Sequence, residues 1–140
     1  MDTRASVVRN SIGIGLATGA YAVSFGAIST AAHLSVIQTC ALSLLMFTGA
    51  SQFALVGVLG AGGGVVAAAT TAALLGSRNA LYALRLSSLL DLRGWRRPVA
   101  AQLVIDESTA MATVPGTEGL GRVGFWATGA AVFTFWNLGT

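Results

Sequence analysis

The stretch "LLMFTGASQFALVGVL", residues 44–59, places Gly49, Ala50, Ser51 and Gln52 in the middle of an otherwise apolar run. It lies within a longer interval, from Arg9 to Arg78, that contains no further charged residue between those two arginines. Such an interval exceeds the ~20 residues that one spanning helix requires, so several membrane segments are expected in it. The composition agrees, with 54% hydrophobic residues, 9% charged residues and a mean hydropathy of +0.74, whereas a soluble domain is roughly a quarter charged. The expectation is an all-α, polytopic integral membrane protein, because a backbone that faces lipid must satisfy its own hydrogen bonds. Strands of ~10 residues with alternating hydrophobicity, the mark of a transmembrane barrel, are not visible.

About five apolar segments can be drawn, at 10–32, 36–60, 64–89, 99–114 and 122–139, separated by "HLS", "GAGG", "DLRGWRRP" and "PGTEGLG". They predict a single transmembrane domain over 1–140. The N-terminus has the basic start of a secretory signal, but its apolar run is longer than a usual signal core and reads as a retained first span. The net charge of +3 comes from eight arginines and no lysine, grouped at segment ends. That grouping reports topology and argues against nucleic-acid binding.

Arg4 and Arg9 put the N-terminus in the cytoplasm, and Arg93, Arg96 and Arg97, backed by Arg85, put "DLRGWRRP" there too. An even number of crossings must separate the two, yet three segments lie between them. One segment must therefore enter and leave on the same side. The best candidate is 36–60, whose interruption follows an apolar arm of ~13 residues, ~20 Å as helix. The alternative is a continuous helix packed through small residues, with the charge rule failing once. Broken helices persist at membrane depth only where protein or a cavity surrounds them, and their freed backbone groups then face a substrate. Gly49, Ser51 and Gln52 are candidate substrate-binding residues on this ground.

Segment 64–89 carries "SRNALYALR", in which Arg78, Tyr82 and Arg85 share a helix face and Asn79 lies beside them. Arg85 is close enough to the cytoplasmic loop to snorkel. An unpaired Arg78 near mid-span would cost ~2.5–3.5 kcal/mol, which calls for a partner unless Arg78 too snorkels or the helix is short and begins near Arg78. In "QLVIDESTAMATV", residues 102–114, continuous helix would align Gln102, Asp106, Thr109 and Thr113 on one stripe and turn Glu107 ~100° away, toward apolar neighbours. An acid in apolar surroundings can carry a proton near neutral pH. Asp106 is thus the expected ion-pairing or substrate-side residue with Arg78 opposite, and Glu107 the expected proton carrier. The alternative is a short interfacial helix with both acids hydrated. Thr109, on the stripe of Asp106, is a further candidate substrate-binding residue, and Asn79, Tyr82, Gln102 and Thr113 are possible pathway-lining residues.

Gly15, Gly19 and Gly26 in the first segment predict close helix packing. "GVLGAGGG" follows no strand and lacks a full dinucleotide fingerprint, so no phosphate site is expected. One Cys, Cys40, and one His, His33, leave no metal-ligand spacing and little catalytic equipment. No enzyme, cofactor or metal is expected.

The elements "FGAIS", "LLMFTGASQFALVGVL", "SRNALYAL", "IDESTAM" and "FWNLGT" occur in the order and approximate spacing of the AzlC-type branched-chain amino acid permease family, which the chain resembles over essentially its whole length. The resemblance implies a bacterial inner-membrane, multi-pass secondary transporter exporting branched-chain or related amino acids. It also implies a small hydrophobic AzlD-type partner and no ATP site. Members commonly show Asn-x-Arg-His where this chain has Gly76, Ser77, Arg78 and Asn79, so Arg78, Leu81 and Tyr82 carry over and the Asn and His do not. Members usually continue through further spans, which implies that this chain is the N-terminal part of a transporter. A proton-coupled exporter subunit is the first expectation, with a passive channel-like facilitator or a non-transporting assembly subunit as alternatives.

Overall fold

The computed structural model describes residues 3–114 and 119–140, which form eight helices and no strand. These are α1 (Arg4–Ala31), α2 (Val36–Leu45), α3 (Gly49–Gly60), α4 (Val65–Gly76), α5 (Arg78–Leu90), α6 (Arg96–Gln102), α7 (Asp106–Ala112) and α8 (Gly121–Gly139). The all-α expectation holds, but three of the five predicted segments are each two helices. Segment 36–60 breaks at 46–48, segment 64–89 at Ser77, and segment 99–114 at 103–105. The first break falls just ahead of Gly49 to Gln52, which open α3. Among the described residues α1 alone is a helix long and apolar enough to cross a membrane by itself. Most of "PGTEGLG", at 115–118, lies outside the described residues.

Local chemistry explains the helix ends. Thr3 caps α1 by accepting the Ser6 N–H at 3.3 Å, and His33, at φ 65°, turns the chain after it. Ser35 and Gln38 then form a reciprocal capping box at the start of α2. The break between α4 and α5 falls at a Gly76-Ser77 pair, a combination that kinks helices without proline. There the Ser77 hydroxyl donates to the Leu74 carbonyl at 2.7 Å. Asp91 ends α5 in the left-handed region at φ 40°.

The frame is the pair α1 and α8, which share the most extensive helix interface. They run parallel: Ser11 meets Thr128 in a buried 2.8 Å hydrogen bond, Gly15 faces Ala131, Gly19 faces Phe135, and Gly26 faces Thr140. A Cβ at Gly19 would lie 2.7 Å from the Phe135 carbonyl oxygen, and one at Gly15 would lie 2.9 Å from the Ala131 backbone. The backbones touch because these side chains are missing.

Against this frame the direction of every other helix can be read. Helix α2 descends from the far end of α1, with Thr39 hydrogen-bonded to Ser29 at 2.8 Å and Ser43 to Asn137 at 2.7 Å. The chain reverses at 46–48 near mid-height. Helix α3 climbs back, with Gly49 against Trp136, Phe53 against Tyr21 and Phe25, and Gly60 against Ala32. Helix α4 packs on α3 and returns to mid-height, where Gly76 faces Ser51. From there α5 continues to the near end and places Leu89 beside Gly121. Helix α6 starts at that end and rises until Leu103 meets Gly129. After the turn at 103–105, α7 descends again until Met111 and Ala112 press their carbonyls against Gly124 and Gly121.

A long rod followed by a helical hairpin therefore occurs twice in opposite directions: α1 then α2 and α3, and α4 with α5 then α6 and α7. This is the pattern of an inverted-topology repeat. The two hairpin tips meet half-way along α1. Of the eight arginines, all but Arg78 belong to the half that contains Arg4. Replacing Gly19 by Ala should destabilise the full chain by about 1–3 kcal/mol, since backbone must shift to admit the methyl group. Gly57→Ala, where nothing lies within 4 Å, should leave thermal unfolding in detergent unchanged or slightly raised.

Candidate functional site

A cavity of about 280 Å³ lies where the hairpin tips meet. Thr48, Gly49 and Ala50 come from the first tip, Ile105, Asp106 and Glu107 from the second, and Arg78 from the break between α4 and α5. Thr18 and Tyr21 of α1 and Val132 and Trp136 of α8 close it, with Phe47 and Phe53. Three chain interruptions thus converge on one space. Its charged groups are those of the breaks, and its walls are largely aromatic.

Arg78 Nη2 lies 2.7 Å from Asp106 Oδ2, the partnership the sequence anticipates. Their side chains are 39% and 45% exposed. At that exposure an ion pair is screened and contributes at most about 1 kcal/mol, so the pair is not what holds the fold together. Arg78 Nε and Asp106 Oδ1 are buried and without a partner, so each group keeps unused hydrogen-bonding capacity. Tyr82, one turn along α5, lies beside both and interacts with the Asp106 carboxylate.

Helix α3 opens at the cavity with no side chain capping it, which leaves its first amides free and the positive end of its dipole facing the space. Gly49 is required there because a Cβ would lie 2.8 Å from the Trp136 ring. Trp136 stacks with Phe25 at 6.2 Å between centroids and meets Phe53 edge-on at 6.4 Å. Through these rings the α1 and α8 frame fixes where α3 begins.

The predicted continuous helix over 99–114 does not form: the turn at 103–105 separates Gln102 from Asp106, Thr109 and Thr113, which follow one another along α7 and its C-cap. The Gln102 amide donates to Leu44 O at 2.9 Å and Leu45 O at 3.4 Å, serving the carbonyls that the end of α2 leaves without helical partners. It ties one hairpin to the other. Ser108 holds the second tip by accepting the Ile105 N–H at 3.1 Å and donating to Leu103 O at 2.6 Å. Asp106 and Glu107, expected on different faces, both line the cavity. Thr109 is buried with its hydroxyl unpartnered, while Thr113, at the far end of α7, donates back to Thr109 O at 2.9 Å. Asn79 is half-buried, with Oδ1 unpartnered.

Gln52, expected to meet a substrate, is fully buried and turned away from the cavity. Its Nε2 donates to Met46 O at 2.7 Å and Leu42 O at 3.1 Å, which fastens α3 to the end of α2. Ser51 is likewise buried, facing Gly76 on α4. The aromatic walls, Trp136 above all, were missed in sequence. "FWNLGT" shows an aromatic pair but nothing about which ring turns inward. Gln52→Leu removes two hydrogen bonds worth about 0.5–1.5 kcal/mol each. Its expected outcome is a loss of about 1–3 kcal/mol in stability, seen as earlier thermal unfolding and lower membrane abundance.

The sequence matches the family model described as AzlC protein over residues 13–140. No curated protein and no solved structure gives a significant match. The match covers the α1 and α8 seam from Gly13 onward, both hairpin tips and the residues of the cavity, and on that footing the chain belongs to the AzlC family.

Proposed function

We propose that this chain is a subunit of a secondary transporter that exports branched-chain or related amino acids across the bacterial cytoplasmic membrane. In this reading it is not an enzyme, and it works with a small hydrophobic AzlD-type subunit. The AzlC family is generally associated with branched-chain amino acid transport and with membranes. Helix α1, of 28 residues, is ~42 Å long and exceeds a hydrocarbon core of ~30 Å. The combined α4 and α5 rod and α8 are the further crossings, and the two hairpins are re-entrant, one from each face. The outward side chains support this placement. Ile37, Val66, Leu74 and Leu84 are 81%, 81%, 71% and 71% exposed, a surface suited to lipid rather than water. Placing the arginine-rich end in the cytoplasm follows the positive-inside rule, and the first hairpin then enters from outside.

The observation that carries the reading is the cavity at the meeting of two oppositely directed hairpins, with Arg78 and Asp106 paired in it. Irregular backbone at mid-membrane is stable only around a protein-lined space, and transporters bind substrates between such half-helices. At about 280 Å³ the space is at the small end of ligand pockets, roughly 300–1,000 Å³ for drug-sized molecules, which suits one amino acid. The Asp106 carboxylate would take the ammonium group, and Arg78 with the open end of α3 the substrate carboxylate. Phe47, Phe53 and Val132 would hold the aliphatic part. Glu107, in the same cavity, is the proposed proton carrier.

Counterflow of labelled leucine, isoleucine, valine and methionine in vesicles, with and without the small partner, tests the proposal. Asp106→Asn should reduce exchange about tenfold or more, corresponding to a lost charged hydrogen bond of about 1.5–3 kcal/mol. Glu107→Gln should retain exchange but lose its response to a pH gradient, because exchange need move no net proton. A well-inserted Glu107→Gln protein with the gradient response of the wild type would favour a passive facilitator. Undiminished exchange in Asp106→Asn would remove the cavity from the substrate path.

A further inference from the structure

We infer that the gap between α5 and α6 at the arginine-rich end is a seat for an anionic phospholipid of the surrounding leaflet, an inference that rests on the membrane reading above. The gap is a cavity of about 580 Å³. Its floor is apolar, built by Leu86, Leu90, Ala100 and Val104, all buried. Its rim carries Arg93 and Arg97. An apolar chamber under a cationic rim is the shape of an amphiphile with a negative head.

The charges at the rim are unspent. Among the described residues the one ion pair is that of Arg78 with Asp106, so neither Arg93 nor Arg97 is paired with a described carboxylate. Asp91 also lines the rim but stands outside ion-pair distance of both. A further cavity of about 270 Å³ is lined by Leu92, Trp95 and Arg96 of the same loop region together with Arg122 and Trp126. The Arg96 guanidinium sits 5.9 Å from the centre of the Trp95 ring. Trp95 itself is 73% exposed, as interfacial tryptophans at headgroup level are.

Depth selects the ligand class. From Asp91 to Ala83 the first cavity follows two turns of α5, ~12 Å along the helix, and its apolar walls continue below the arginines. A free phosphate ion would use the rim alone and gain nothing from that floor. A phospholipid would place its phosphate between Arg93 and Arg97 and its glycerol and upper acyl carbons against Leu86 and Leu90. Basic pockets between membrane helices on the cytoplasmic side bind anionic headgroups by this combination.

The test is lipid retention by the full chain, scored by native mass spectrometry with phosphatidylglycerol and phosphatidylcholine of identical acyl chains. The wild type should retain phosphatidylglycerol preferentially. Arg93→Gln with Arg97→Gln should lower that preference by about thirtyfold, from two basic contacts, and Arg93→Lys with Arg97→Lys should keep most of it. Arg4→Gln with Arg9→Gln, a matched charge change at the same end but outside the gap, should leave it within about twofold. An unchanged preference in the Arg93 and Arg97 glutamine protein, or an equal loss in the Arg4 and Arg9 protein, would overturn the seat. Displacement of the lipid by inorganic phosphate would make it a phosphate site and overturn it also. Flotation separates the two readings: a wild-type chain that fails to float with neutral phosphatidylcholine vesicles refutes the membrane placement and the seat together. A chain that floats without phosphatidylglycerol preference refutes the seat alone.

Discussion

Direct backbone contact between α1 and α8 is the constraint on which the rest depends. Gly15, Gly19 and Gly26 let the two helices lie side by side in parallel, and parallel neighbours cannot be joined by a short loop. The chain must therefore travel the length of the molecule and back before α8 begins. Everything between, from α2 to α7, is fitted into that excursion. The same contact sets Trp136 opposite Gly49 and, through Phe25 and Phe53, fixes the height at which α3 starts. A frame of small residues thus decides where the first hairpin turns.

Turning a helix in mid-molecule strands backbone groups, and such groups are costly unless something answers them. Two glutamine amides do so here. Gln52 fastens the start of α3 to the end of α2, and Gln102 reaches from α6 to the neighbouring carbonyls of Leu44 and Leu45. Ser108 performs the corresponding task at the second tip. With these side chains committed to the backbone, Arg78, Asp106, Glu107 and the open end of α3 are left to line the cavity. The site is what remains after the breaks have been repaired.

The two ends of the α5 and α6 gap show how one charge type serves different purposes. Arg78 meets a carboxylate at mid-height, in the cavity between the hairpin tips. Among the described residues Arg93 and Arg97 meet none. Asp91, although close in sequence, is held by its left-handed conformation at the end of α5 and leaves the rim cationic.

The sequence by itself determined the helical class, the interruption near Gly49, the close-packing glycines of α1 and the need of Arg78 for an acid. Each follows from local rules: composition, residue spacing, and the cost of an isolated charge. The breaks at Ser77 and at 103–105 were less legible, since neither contains proline and an apolar run looks the same whether it continues or turns. Reading through the second of these put Gln102 on one stripe with Asp106, whereas the turn at 103–105 sends Gln102 to the end of α2 and brings Asp106 and Glu107 to the cavity. Only the tertiary structure decided that the two hairpins point in opposite directions, that Gln52 and Gln102 serve stranded carbonyls, and that Trp136 turns toward the cavity. Those outcomes depend on which backbone groups lie free across distant helices. An amide side chain is equally able to bind a ligand or repair a break, and the neighbour it meets on folding makes the choice.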